Sequence, residues 1–110
     1  MQIVRTKRYA RDVRKLGASG ADIARLEQTI ANDPFVGDVI PGLASLRKVR
    51  FAISGRGKRG GGRAVYYVLL REDVAIMIFA YSKSDREDLT PGQKKAAKAL
   101  IEELNDGQKD

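Results

Sequence analysis

Three side chains near the ends of two β-prone runs carry the chemistry of this sequence: Arg63, Tyr81 and Lys83. Residues 63–70 and 74–82 are rich in Val, Ile, Tyr and Phe, and Arg71-Glu-Asp73 joins them as the loop of a hairpin. That loop length places Tyr81 opposite Arg63 on one face, with Lys83 one step beyond on the same face. A guanidinium, a phenol and an ammonium therefore meet at one end of a sheet. Beside them runs the loop Ser54-Gly-Arg-Gly-Lys-Arg-Gly-Gly-Gly-Arg63. Residues 47–63 hold seven cations (Arg47, Lys48, Arg50, Arg56, Lys58, Arg59, Arg63), five glycines and no acid, in a chain of net charge +7. A glycine-rich backbone can approach a ligand closely, and such a strap of cations is suited to docking on phosphates. Surfaces built only for solubility intersperse both signs.

The composition narrows the chemistry further. With no histidine and no cysteine among 110 residues, the chain offers no imidazole base, no thiolate nucleophile, no disulfide and no usual zinc site. No cofactor or metal is expected. Neither a GxxxxGK[ST] motif nor the strand-to-helix setting of GxGxxG is present. Asp85, Glu87 and Asp88 have Arg86 among them and read as a polar connector, and no carboxylate pair is spaced for glycoside hydrolysis or a two-metal cage. The apolar runs 64–70 and 74–81 are too short to span a bilayer, and no apolar signal-peptide core follows the N-terminus. A cytoplasmic protein is expected from this, and a pI near 9.9 favours a polyanionic partner, with RNA, DNA and anionic membrane surface as the candidates.

The elements that must position these groups fit one domain over residues 1–110. Residues 2–4 form a short strand. Tyr9, Val13 and Leu16 recur at helical spacing among Lys7, Arg8, Arg11, Arg14 and Lys15, giving an amphipathic basic helix that stops near Gly17. Ser19 with Asp22 three residues on resembles a capping box, and Ile23, Leu26 and Ile30 mark one face of a second helix, ended by Asn32-Asp-Pro34. Residues 34–45 read as an irregular connector. Residues 47–54 alternate, with Val49, Phe51 and Ile53 on one face and Lys48, Arg50, Ala52 and Ser54 on the other. The long glycine loop leaves this strand's register open: simple pairing of Ile53 with Arg63 would turn Lys48 and Arg50 away from Arg63, and a slip of one residue would bring them to its face. Tyr66 and Tyr67 fall mid-strand, where packing is expected. Thr90-Pro-Gly-Gln93 starts a last helix whose apolar stripe is Ala97, Leu100, Ile101 and Leu104. The fold class is α+β, a compact antiparallel sheet of three or four strands with an N-terminal helical hairpin and a C-terminal helix.

Five segments, in this order, carry a resemblance: Leu46-Arg-Lys-Val-Arg50, Gly57-Lys-Arg-Gly-Gly-Gly-Arg63, Val65-Tyr-Tyr67, Phe79-Ala-Tyr-Ser-Lys83 and Asp88-Leu-Thr90. Together they resemble the RelE/ParE superfamily, and within it the HigB-type RelE toxins of type II toxin–antitoxin operons. The likeness covers about residues 33–104. Where such toxins have glycines before the Leu-Arg-Lys segment, this chain has Ala44-Ser45.

The resemblance implies a ribosome-dependent endoribonuclease that cuts mRNA in the decoding site without a required metal. It also implies a helix-turn-helix antitoxin of the HigA type as partner, the pair contacting operator DNA through the antitoxin. Carried over by motif, Arg63 would contact the scissile phosphate, flanked by Lys83 and Tyr81. Lys58 and Arg59 would hold neighbouring phosphates or ribosomal RNA, with Arg56, Arg50 and Lys48 as further RNA contacts. The residue types suit that chemistry: cleavage by the RNA's own 2′-hydroxyl builds negative charge on a phosphorane, and preorganised cations stabilise it. Two other readings share the composition: a ParE-like toxin that poisons gyrase without cleaving RNA, and a non-catalytic RNA- or ribosome-binding module.

Overall fold

Alternation along the central strands sets the architecture. The computed structural model describes residues 1–55, 61–83 and 89–107, the side chains of residues 44, 45 and 104–107 excepted. The chain runs β1 (Gln2–Arg5), α1 (Lys7–Lys15), α2 (Gly20–Asn32), β2 (Asp38–Ile40), β3 (Leu43–Phe51), β4 (Gly62–Leu69), β5 (Val74–Ser82) and α3 (Pro91–Gly107). The sheet order is β1-β5-β4-β3-β2. One face packs Val49, Phe51, Ala64, Tyr66, Met77 and Ala80 with Tyr9, Val13, Leu16, Leu26 and Ile30 of the α1–α2 hairpin. The other joins Leu46, Val65, Tyr67, Phe79 and Tyr81 to Leu89, Ala97 and Ile101 on the α3 side. Strands buried on both faces read as continuous apolar runs, which is why residues 64–70 and 74–81 show little alternation.

The α+β class, the helical hairpin and the C-terminal helix are as expected, but among the described residues the sheet has five strands and is mixed. β1 pairs parallel with β5, and β2 lies inside the stretch read as a connector. β1 is the short strand expected over residues 2–4, whereas the three residues of β2 are too few to show a period. β3 also starts earlier than expected, at Leu43, because Ile40 pairs with it there.

The hairpin reaches its expected register by an unexpected route. Leu69 pairs with Val74, so the loop is residues 70–73, closed by a 3₁₀ turn over Leu70–Glu72 and a left-handed Asp73 at φ 55°. A bulge follows: Val65 pairs with Phe79 and Tyr66 with Met77, which leaves Ile78 as the extra residue. Ile78 and Phe79 consequently both belong to the α3-side core. The extra loop residue and the bulge offset one another, and Arg63 comes to lie opposite Tyr81.

Side chains tie the helices to the sheet. β1 covers the edge of β5 only as far as Met77, and α1 takes over there. The Thr6 hydroxyl accepts from the Tyr9 N–H as N-cap, lies 2.8 and 3.0 Å from the Met77 and Ile78 carbonyl oxygens as donor, and Asp12 accepts the Ala80 N–H at 3.1 Å. An open edge is thereby closed. Tyr66, fully buried, donates to the Pro34 carbonyl and accepts from the Gly37 N–H, both at 2.9 Å. Removing that hydroxyl would strand a buried N–H at a cost of about 1–3 kcal/mol. Gly37 has no room for a side chain, since a Cβ would stand 2.9 Å from the Tyr66 hydroxyl.

Asp22 joins α2 to the chain beyond β3. It closes a capping box with Ser19 and accepts from the Ser54 N–H at 2.9 Å and the Ser54 hydroxyl at 2.7 Å. The Ser54 N–H above all, then the Ser19 N–H and the Ser54 hydroxyl, hold its carboxyl well below the usual carboxylate range. A depressed carboxylate contributes stability above its unfolded pKa of about 3.9 and loses it as pH falls through that value toward the folded one. Asp22→Asn should therefore melt lower than the parent chain at pH 7, and the gap should narrow below about pH 4; thermal unfolding across pH 2.5–7 checks this, and a gap independent of pH would contradict it.

Candidate functional site

The site is one rung of the sheet and its neighbours. Arg50, Arg63 and Tyr81 are register partners across β3, β4 and β5, and Lys48, Val65 and Phe79 form the next rung. Alternation directs Val49, Ala64 and Ala80 to the hairpin side, which leaves both rungs on the α3 side. Past the strand ends the Lys83 N–H donates to the Gly61 carbonyl at 3.2 Å, extending the ladder by one rung to Lys83.

The face of Lys48 and Arg50, which the sequence left open, is thereby settled: they share the face of Arg63. The simple Ile53–Arg63 pairing does not form because β3 ends at Phe51, which pairs with Gly62. A Cβ on Gly62 would lie 2.6 Å from the Phe51 ring, and one on Gly61 2.8 Å from the Phe51 carbonyl oxygen. These glycines serve close packing between strands, and the odd offset of three residues exchanges the faces.

Arg63 and Tyr81 are each only 6% exposed. The Tyr81 ring belongs to the α3-side core. Arg63 Nη1 donates to the Gly62 carbonyl at 3.3 Å, and among the described residues no carboxylate forms an ion pair with Arg63 or Arg50. A buried cation without an anion is costly. Lys48 and Lys83 are half-buried and Arg50 is exposed. Arg56, Lys58 and Arg59 lie outside the described residues.

Two arginines differ from what their sequence setting suggested. Arg47, one of the seven cations, serves the scaffold: it donates to the Gly37 carbonyl at 2.7 Å and its guanidinium lies 5.0 Å from the Phe35 ring centroid. Arg8 joins the site instead. It reaches from the first turn of α1 over the edge of β5 to stand 4.7 Å from the centroid of Phe79, a cation–π contact beside the Arg63 rung. The first turn of α1 has no acid, although the helix dipole disfavours cations there. That is the one sequence signal Arg8 left.

A sequence profile of the RelE toxin of the RelE/RelB toxin–antitoxin system matches residues 1–110. The chain belongs to the RelE toxin family. The crystal structure of the isolated E. coli RelE toxin is similar at a TM-score of 0.52 and 15% sequence identity, covering 90% of this chain and 97% of that one. At that identity the likeness is one of fold. In this RelE-family chain no helix among the described residues is long and apolar enough to cross a membrane, and none of their His, Cys, Asp and Glu side chains gather in threes as a metal site.

Arg50 facing Arg63 across β3 and β4 is a like-charge pair, unfavourable to the folded chain by about 0.2–1 kcal/mol. Arg50→Gln should raise the melting temperature at low salt, with the gain fading near 1 M salt as the charges are screened. A loss of stability on that substitution would contradict the repulsion.

Proposed function

We propose that this RelE-family chain is the toxin of a type II toxin–antitoxin pair of the HigB type, a single-domain cytoplasmic endoribonuclease that cuts translated mRNA on the ribosome. Its partner would be a helix-turn-helix antitoxin of the HigA type, which neutralises it and carries the pair to operator DNA. The observation that carries the reading is the Arg50–Arg63–Tyr81 rung, with a buried arginine that has no carboxylate counter-ion among the described residues. Such a cation is preorganised for an anion supplied from outside.

In this reading the scissile phosphate lies against Arg63. The 2′-hydroxyl passes its proton to solvent water and attacks the adjacent phosphorus, and charge builds on the phosphorane oxygens. The bond to the 5′-oxygen then breaks, leaving a 2′,3′-cyclic phosphate and a 5′-hydroxyl that takes its proton from the enzyme. Arg63 stabilises the phosphorane. Lys83, half-buried at the end of the ladder, donates the proton, and the packed Tyr81 ring holds the Arg63 guanidinium in place. Arg50 and Lys48 take the flanking phosphates, together with Arg56, Lys58 and Arg59. The chain has no histidine, so deprotonation depends on positioning more than on a strong base, which fits an enzyme that acts where the ribosome holds the mRNA.

Expressing the chain and mapping mRNA 5′ ends during translation tests the reading. Codon-positioned cuts are expected, reduced on the order of 10²–10³ in rate by Arg63→Ala and retained in Lys95→Ala. Growth arrest with intact mRNA and broken DNA would point to a gyrase poison, and the absence of both cutting and toxicity would contradict a toxin.

A further inference from the structure

Beside the rung lies a second cationic site. β2 pairs with β3 no further than Asp38–Lys48, so among the described residues no strand lies along the outer edge of β3 beyond that point. Between this edge and α2 is a cleft of about 160 Å³ whose polar lining includes Asp22, Arg25, Thr29 and Arg50. The one acid among its described lining residues is already engaged. Asp22 takes the N–H groups of Ser19 and Ser54 and the Ser54 hydroxyl, and Arg25 stands 3.8 Å from it with a side chain 68% exposed. An ion pair that long and that exposed contributes little. Arg50 is exposed and has no ion pair among the described residues, and it is also the register partner of Arg63.

We propose that this cleft is a second phosphate site, in which Arg25 and Arg50 hold a backbone phosphate of the same RNA strand whose scissile phosphate lies on Arg63. The inference rests on the nuclease reading above and deepens it. Arg50 starts from the α3 side of the sheet and borders the cleft from the open edge of β3, so the strand passes from the Arg63 rung around that edge to α2. Two guanidinium forks suit phosphate oxygens. A phosphate contact positions the strand without reading its bases, so Arg25 acts alike on every sequence.

The test is binding of fluorescent 2′-O-methyl oligoribonucleotides, which cannot be cleaved by their own 2′-oxygen, across a salt series. Arg25→Gln should weaken binding equally for unrelated sequences and lower the slope of log affinity against log salt by about 0.7, the value for one single-strand phosphate. Arg25→Lys should keep most of that slope, and the melting temperature of both variants should match the parent. Binding that responds to Arg63→Gln but keeps its full slope in Arg25→Gln overturns the second site alone. Binding that responds to neither substitution, or no binding by the parent chain, overturns this inference and the nuclease reading together. Loss of binding to an oligoglutamate probe in Arg25→Gln, with RNA binding intact, assigns the cleft to an acidic peptide and likewise overturns it.

Discussion

Everything at the site depends on where β3 stops and how closely β4 can approach it. The Phe51 ring occupies the space a side chain at residue 62 would need, and Gly62 is the residue that pairs with Phe51. That contact sets the β3–β4 register, and the bulge at Ile78 sets the register of β4 with β5. Together they put Arg50, Arg63 and Tyr81 in one line. A slip of one residue in either pairing would turn a member of the line toward the α1–α2 hairpin.

Holding cations in such a place works against folding, and the surrounding structure offsets it. Both faces of β4 and β5 are packed, so the strands that carry Arg63 and Tyr81 are the most deeply buried parts of the sheet. The α1 helix secures the same strands from the side through Thr6, Asp12 and Arg8. Asp22 secures Ser54, two residues before the first glycine-loop cation. The strands beneath Arg63 are thus packed on both faces and tied at their edge, which suits preorganised electrostatics.

Much of this was legible in the sequence where the signals are local. Apolar spacing and capping residues identified all three helices, and Thr90 and Gln93 exchange the expected pair of bonds at 3.0 and 3.1 Å. Arg63 was placed opposite Tyr81 although the loop is one residue longer than expected, because the bulge makes up the difference. The face of Lys48 and Arg50 was not legible: it depends on a register across a glycine loop, and no local pattern encodes how Phe51 meets Gly62. The short strand at residues 2–4 was read, but its parallel pairing with β5 was not, and the three-residue β2 falls below the length at which a period can show. Arg8 was missed because its role depends on α1 lying along the edge of β5, which follows from the parallel β1–β5 pairing and not from anything near residue 8.

The chain has no cysteine, so the register can be tested by a single engineered disulfide. Paired strand residues lie within the about 4.4–6.8 Å between Cα atoms that a disulfide spans. Under mild oxidation the double substitution Arg50→Cys with Arg63→Cys should crosslink within the monomer, and Ile53→Cys with Arg63→Cys should not. Crosslinking of residues 53 and 63 in preference to 50 and 63 would turn Arg50 and Lys48 away from Arg63 and contradict the site described here.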